Sequence, residues 1–210
     1  MTEQMDTNVW QVRAALCELL ALSFRYPDSV LAEVVSSGEW VDAANELALA
    51  AGVDWAADVQ ESADQGDAEQ MLHALRAEAT RLFIGAPEPV ISPYEGIWRA
   101  ADDGGEALLF INPHSMEVER FCKSCGLSRP AGTNEPLDNV ATELELLECL
   151  AARVALGEDA DAAASAYAEF MTSHVMQWMP RFAEKVQEET RLTFYRQAAL
   201  LLARSLDVLV

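Results

Sequence analysis

Lysine is nearly missing from this chain. In 210 residues it occurs twice, at Lys123 and Lys185, and the formal net charge is −21. A surface so poor in cations repels phosphate backbones, so nucleic acid is excluded as a partner. The acidity fits a basic peptide or protein partner, general solubility, or a high-salt habitat. Long apolar runs are absent too: none reaches the roughly 18–20 residues that span a bilayer. The N-terminal stretch, with Glu3 and Asp6, has no basic, then apolar, then small-residue order of a secretory signal. A cytoplasmic protein without stable membrane insertion is expected. Four cysteines do not make a disulfide framework in a chain of this length. Cys17 and Cys149 fall within helical patterns and read as small buried apolar residues.

Catalytic patterns are also missing. The three histidines, His73, His114 and His174, are scattered, and no H-x-x-x-H or H-E-x-x-H occurs. There is no phosphate loop, no G-x-G-x-x-G and no G-x-S-x-G. Among Glu143, Glu145 and Glu148, the first two are two apart and point in different directions on a helix, and no Glu-x-x-His accompanies them, so they read as a mostly solvated face. No nucleophile, base and oxyanion site come together. The expectation is a protein that is not an enzyme, with no catalytic residues, no cofactor and no metal.

Helical periodicity fills most of the chain. Val9, Val12, Leu16, Leu19, Leu20 and Phe24 share one face, and Pro27 stops that helix. A short helix follows, capped by Asp28 or Ser29 and closed by Gly38. Residues 40–51 and 53–64 suggest short alanine-rich helices. Leu72, Leu75, Ala79, Leu82 and Phe83 form a stripe closed by Gly85. Helices are predicted again from a Ser115 cap to Gly126, over 137–157, over 159–179 ended by Pro180, from Pro180 to about 189, and after a Thr190 cap to the C-terminus. No segment alternates with period two. The chain reads as an all-α single bundle of nine or ten helices, residues 1–210, with parts 1–126 and 137–210 on either side of a hinge loop at 127–136.

Two breaks interrupt the helices. Residues 86–113 contain four prolines and the segment SPYEGIW at 92–98; a loop this long inside a compact domain is often functional. The second break runs LSRPAGTNEP and leads into EPLDN at 135–139. Together they offer aromatic surface beside carboxylates, chemistry that suits a segment carrying arginines followed by apolar residues. Glu95 is a candidate arginine partner on electrostatic grounds, and Asp138 is either another or a helix cap. The pair Cys122 and Cys125 forms a single C-x-x-C. That leaves a metal-binding or thiol-redox helical protein as the alternative, although structural zinc wants four ligands and thioredoxin-type chemistry wants a βαβ setting.

On these residues the sequence resembles the TorD/DmsD/NarJ family of redox-enzyme maturation chaperones, from about residue 10 to the C-terminus. TRLFIG…SPYEGIW at 80–98, EPLDN at 135–139, FMTSHVMQWMPRF at 170–182 and FYRQAALLLARSL in the last helix carry the resemblance, in the family's order. It implies a cytoplasmic, all-helical, TorD-like chaperone. Such a chaperone binds the twin-arginine signal peptide or N-terminal region of the catalytic subunit of a molybdopterin oxidoreductase, of dimethyl sulfoxide, trimethylamine oxide or nitrate reductase type. It assists cofactor insertion and prevents premature export. Carried over by position, Leu82, Phe83, Pro93, Tyr94, Gly96 and Trp98 line the binding region with Glu135, Pro136, Asp138 and Asn139. His174, Trp178 and Pro180 are expected to be structural, with His174 bonded to nearby backbone and Pro180 breaking its helix. Three positions depart from the family pattern: Ala79 replaces a common aromatic, Gly96 a serine and Asn139 a histidine. The chain is expected to be a monomer, or a dimer formed by exchange of helices about the hinge.

Overall fold

A computed structural model describes residues 2–55, 67–85, 87–104, 112–127 and 136–210. Ten α-helices and two π-helical turns appear among them, and no strand. The helices are α1 (Thr2–Phe24), α2 (Ser29–Ser37), α3 (Glu39–Ala51), α4 (Ala68–Ala79), α5 (Glu95–Asp102), α6 (Pro113–Ser124), α7 (Val140–Leu156), α8 (Ala160–Phe170), α9 (Met176–Glu189) and α10 (Thr193–Leu209). The π turns are Thr80–Ile84, after α4, and Met171–Val175, between α8 and α9. Most of the anticipated 53–64 helix and all but the ends of the 127–136 hinge lie outside the described residues.

Local chemistry explains most boundaries. Asp28 accepts from Leu31 N at 2.9 Å and starts α2, and Gly38 closes it in the left-handed conformation that glycine adopts without a Cβ clash. Asn139 accepts from Ala141 N and starts α7. The capping role weighed for Asp138 therefore belongs to its neighbour. Asn112, rather than Ser115, caps α6, with Pro113 at the first helical position.

Three further predicted boundaries differ. Residues 86–113, read as an unbroken loop, contain the eight-residue helix α5. Pro180, expected to end a helix, lies inside α9. A proline there forfeits one backbone hydrogen bond, and the helix persists because Trp178, Met179, Phe182, Ala183 and Val186 are all buried along it. Thr190 does not begin the last helix; its hydroxyl donates to Glu78, and α10 starts at Thr193.

The chain divides into two compact units. One comprises Met1–Ala21, Pro93–Met179 and Val210; the other comprises Leu22–Ser92 and Pro180–Leu209. In the first, α5 packs on α6 and α7 on α8. Leu144, Leu147, Leu150 and Ala151 supply its aliphatic core, and Trp10 meets Tyr167 edge-on at 5.1 Å. In the second, α2 packs on both α3 and α4. Its centre is aromatic. Phe24, Phe83, Phe182 and Tyr195 stack or meet edge to face, and Trp40 sits between Trp55 and Phe194. Edge-to-face rings add about 0.5–1.5 kcal/mol per pair beyond burial. Glu78, also in this unit, takes both guanidinium arms of Arg81 and the backbone N–H of Arg191.

Trp40 is buried, and its indole N–H donates to the Ser23 hydroxyl at 2.9 Å. Trp40→Ala removes the ring and that bond together. It is expected to cost about 3–5 kcal/mol in urea unfolding.

Candidate functional site

The two breaks picked out from sequence are bonded to each other. Val140 N donates to Pro93 O and Glu95 N donates to Asp138 O, each at 2.9 Å. Tyr94 and Asn139 thereby pair as an isolated antiparallel bridge. The Asp138 carboxylate extends the join. Its Oδ2 accepts from Gly96 N at 2.9 Å and from the Ser115 hydroxyl at 2.6 Å. Asp138 thus caps the first turn of α5 by bonding Gly96, 42 positions earlier in the chain. Tyr94, at the α5 N-cap, offers no side-chain cap of its own. That remote cap explains why α5 was missed as a helix: its start has no local cue.

Gly96 is required by this join. A Cβ there would lie 2.6 Å from Ser115 Oγ and 3.0 Å from Asn112 Cγ. The open space lets Asn112 Nδ2 donate to Gly96 O at 2.6 Å. A serine at 96 would run into Ser115, and the hydroxyl that meets Asp138 comes from Ser115 on α6.

Behind the join lies a buried acid cluster. Glu95 and Glu143 are 0% exposed, Asp138 1% and His174 6%. Glu95 was expected to await an incoming arginine. Its carboxylate is instead engaged by this chain's own Arg99, whose Nη1 donates to Oε1 at 2.6 Å. His174 Nδ1 lies 3.1 Å from the same oxygen and 3.0 Å from Oε2. His174 therefore bonds a carboxylate rather than nearby backbone. The π turn Met171–Val175 carries its ring, which stacks on Phe170 at 4.7 Å. Glu143, read as part of a solvated face, accepts from the Trp178 indole N–H at 3.0 Å. One cue to its burial was available: residue 143 is in helical phase with Val140, Leu144 and Leu147. Pairing Glu95 with His174 had no sequence cue.

The cluster is strained electrostatically. Burial pushes the Glu143 carboxyl well above the ordinary carboxylate range, and the nearby charges of Glu95 and Asp138 push it the same way; the Trp178 hydrogen bond opposes them. Burial also raises Asp138, against the bonds from Ser115 and Gly96.

The remaining candidates separate. Tyr94, Trp98 and Asn139 are half-buried, and Pro93 and Pro136 are buried in the same unit. Trp98 lies 6.5 Å from Trp178, ring to ring. Leu82 and Phe83 belong to the other unit; Leu82 is fully buried, and Phe83 packs on Phe24, Phe182 and Tyr195. Glu135 is outside the described residues. The C-x-x-C gains no support. Cys122 is buried, with its thiol pushed up to about 11 chiefly by burial, which disfavours the reactive thiolate. Among the described residues no group of three or more His, Cys, Asp or Glu could hold a metal ion, and no helix is long and apolar enough to cross a membrane.

Residues 40–184 match the family model described as nitrate reductase delta subunit. The chain belongs to that family, the TorD/DmsD/NarJ family of redox-enzyme maturation chaperones. It is similar to proteins named chaperone protein TorD. With that of Vibrio parahaemolyticus it shares 27% identity, over 66% of this chain and 62% of the relative. With that of Aliivibrio fischeri it shares 28%, over 70% of this chain and 67% of the relative. The chain thus spans less than two thirds of the first relative's length. Its fold is similar to the crystal structure of a proposed redox enzyme maturation protein from Archaeoglobus fulgidus, with a TM-score of 0.58, 23% identity and 93% of each chain covered.

The raised Glu143 carboxyl sets a pH dependence. Below its unfolded value both forms are protonated and the group contributes nothing. From about pH 4.5 upward the unfolded carboxyl ionises while the folded one resists, so stability falls as pH rises until the folded group ionises too. Glu143→Gln cannot ionise. Its urea midpoints should fall less steeply with pH than those of the parent, and the variant should be the more stable at the alkaline end.

Proposed function

We propose that this protein is a cytoplasmic, system-specific chaperone rather than an enzyme. On this reading it binds the twin-arginine signal peptide or N-terminal region of a molybdopterin oxidoreductase catalytic subunit. It holds that subunit while cofactor is inserted and prevents premature export. The family membership and the name chaperone protein TorD carried by the relatives support the reading. The observation that carries it is the bonded pair of breaks, Pro93–Gly96 with Asp138–Val140, which holds half-buried Tyr94, Trp98 and Asn139 in one place.

In this proposal the side chains divide by role. Tyr94, Trp98 and Asn139 meet the peptide. Glu95 and Asp138 face inward and hold the segments that present those three. Pro93, Gly96 and Pro136 fix the backbone, and Leu82 and Phe83 stabilise the aromatic core of their unit. Arginines of the client meet the general negative field of a chain with net charge −21, which speeds encounter and falls off with salt. The chaperone acts as a monomer or as a dimer exchanged about 127–136.

Titration of a twin-arginine signal peptide from a molybdoenzyme should give saturable heat and a change in tryptophan fluorescence at micromolar peptide. A twin-lysine version should bind more weakly. Trp98→Ala should cost about 2 kcal/mol of affinity, the scale of an interfacial tryptophan. No heat at tens of micromolar peptide would remove the signal-peptide reading. Binding to the mature subunit without its signal would then identify the mature region as the contact.

A further inference from the structure

A cleft of about 290 Å³ opens in the first unit where the end of α6 meets α7 and α8, and none of the residues of the bonded breaks lines it. Phe121 and Leu150 form its floor, and Ala162, Ala163 and Ala166 leave space along the α8 side. Leu150 and Ala163 are buried, while the Phe121 ring is only half-buried. Apolar surface is thus open to solvent in a concavity, where water is displaced most profitably by another apolar group.

The rim is acidic. Asp159 and Glu169 line the cleft, and both are exposed. Neither side chain has a hydrogen-bond or ion-pair partner among the described residues. Arg153, the cation in the lining, is committed to the Cys125 carbonyl at 2.9 Å. Asp159 is also the single non-glycine residue with positive φ among those described, at 48°. The cleft therefore pairs an apolar floor with two exposed carboxylates that form no ion pair among the described residues, and with Arg153 counted its lining still carries a net negative charge. Its volume sits at the lower bound of ordinary ligand pockets, about 300–1,000 Å³, which suits one or two side chains rather than a nucleotide or a drug-sized molecule.

We propose that this cleft docks a partner segment in which an apolar side chain is flanked by arginine or lysine. The apolar side chain enters against Phe121 and Leu150, and the cation lies across Asp159 and Glu169. The cleft shares no lining residue with the site proposed for the signal peptide, and the proposal does not rest on that reading. A leucine in the cleft gains burial, and its cationic neighbour gains charge-assisted bonds at the rim. An acidic neighbour would be repelled.

Cys125 lines the cleft and is half-buried, so its alkylation reports occupancy. Cys149 is half-buried, does not line the cleft, and serves as the internal control. Burial pushes the thiols of Cys17 and Cys122 up to about 12 and about 11, so both react slowly. The probes are acetyl-Leu-Arg-Leu-amide and acetyl-Leu-Glu-Leu-amide, added to the full chain before a limiting alkylator, with each cysteine followed by mass spectrometry. For a contact this small a dissociation constant of ~1 mM is expected, so about 3 mM of the arginine tripeptide should slow Cys125 about fourfold. Cys149 should be unaffected, and the glutamate tripeptide should protect Cys125 less. Ala166→Leu, which fills the cleft, and Glu169→Lys, which reverses its rim on an exposed side chain, should each abolish protection by the arginine tripeptide. Absence of protection in the parent protein, equal protection by both tripeptides, equal slowing of Cys149, or protection that survives Glu169→Lys would overturn the proposal.

Discussion

The join between residues 93–96 and 138–140 is the constraint on which the first unit depends. Two backbone hydrogen bonds and the Asp138 cap tie segments that are far apart in sequence. Each such bond contributes only about 0.5–1.5 kcal/mol net, but a buried donor left without a partner costs about 1–3 kcal/mol. Neither segment can therefore let go of the other cheaply. The direction of α5 follows, because its first turn is held by Asp138. The position of Glu95 follows from α5, and with it the anchoring of Arg99 and His174. Gly96 and Ser115 make the join possible in this chain, one by leaving space and the other by filling it with a hydroxyl.

Much of this was legible in the sequence, and the limits are instructive. Helices with local cues at both ends, such as α2 between Asp28 and Gly38, were readable because cap and stop lie within a few residues of each other. The two breaks stood out because prolines and paired aromatics are rare in helices. Helix α5 was not readable, since the carboxylate that starts it belongs to a distant segment. Glu143 was misread because its charge outweighed its place in the apolar stripe, and a buried acid satisfied by an indole leaves no pattern along the chain. Glu95 and Asp138 look like arginine ligands when written in a row with aromatics. Folded, they turn inward and hold backbone and side chains of their own chain.

That inward turn changes how the acidity of the protein should be understood. The carboxylates nearest the candidate site are shielded, so the charge a partner meets first comes from acids spread over the surface. A diffuse field of this kind raises encounter rates and screens with salt, but it discriminates poorly among basic sequences. On the proposed reading, discrimination comes from shape and apolar contact at Tyr94, Trp98 and the cleft lined by Phe121.

The π turn at Met171–Val175 has a consequence for how this chain tolerates change in length. A π turn bonds each residue one position further back than an α-helix does, which accommodates one extra residue without breaking the rod. Each residue of an α-helix turns the chain by about 100°. Deleting one residue from 171–175 would restore unbroken α-helix and turn Trp178, in the same unit, away from Glu143 by that angle. The residue count between Phe170 and Trp178 is therefore a phase setting, and the chain should accept substitutions there far more readily than insertions or deletions.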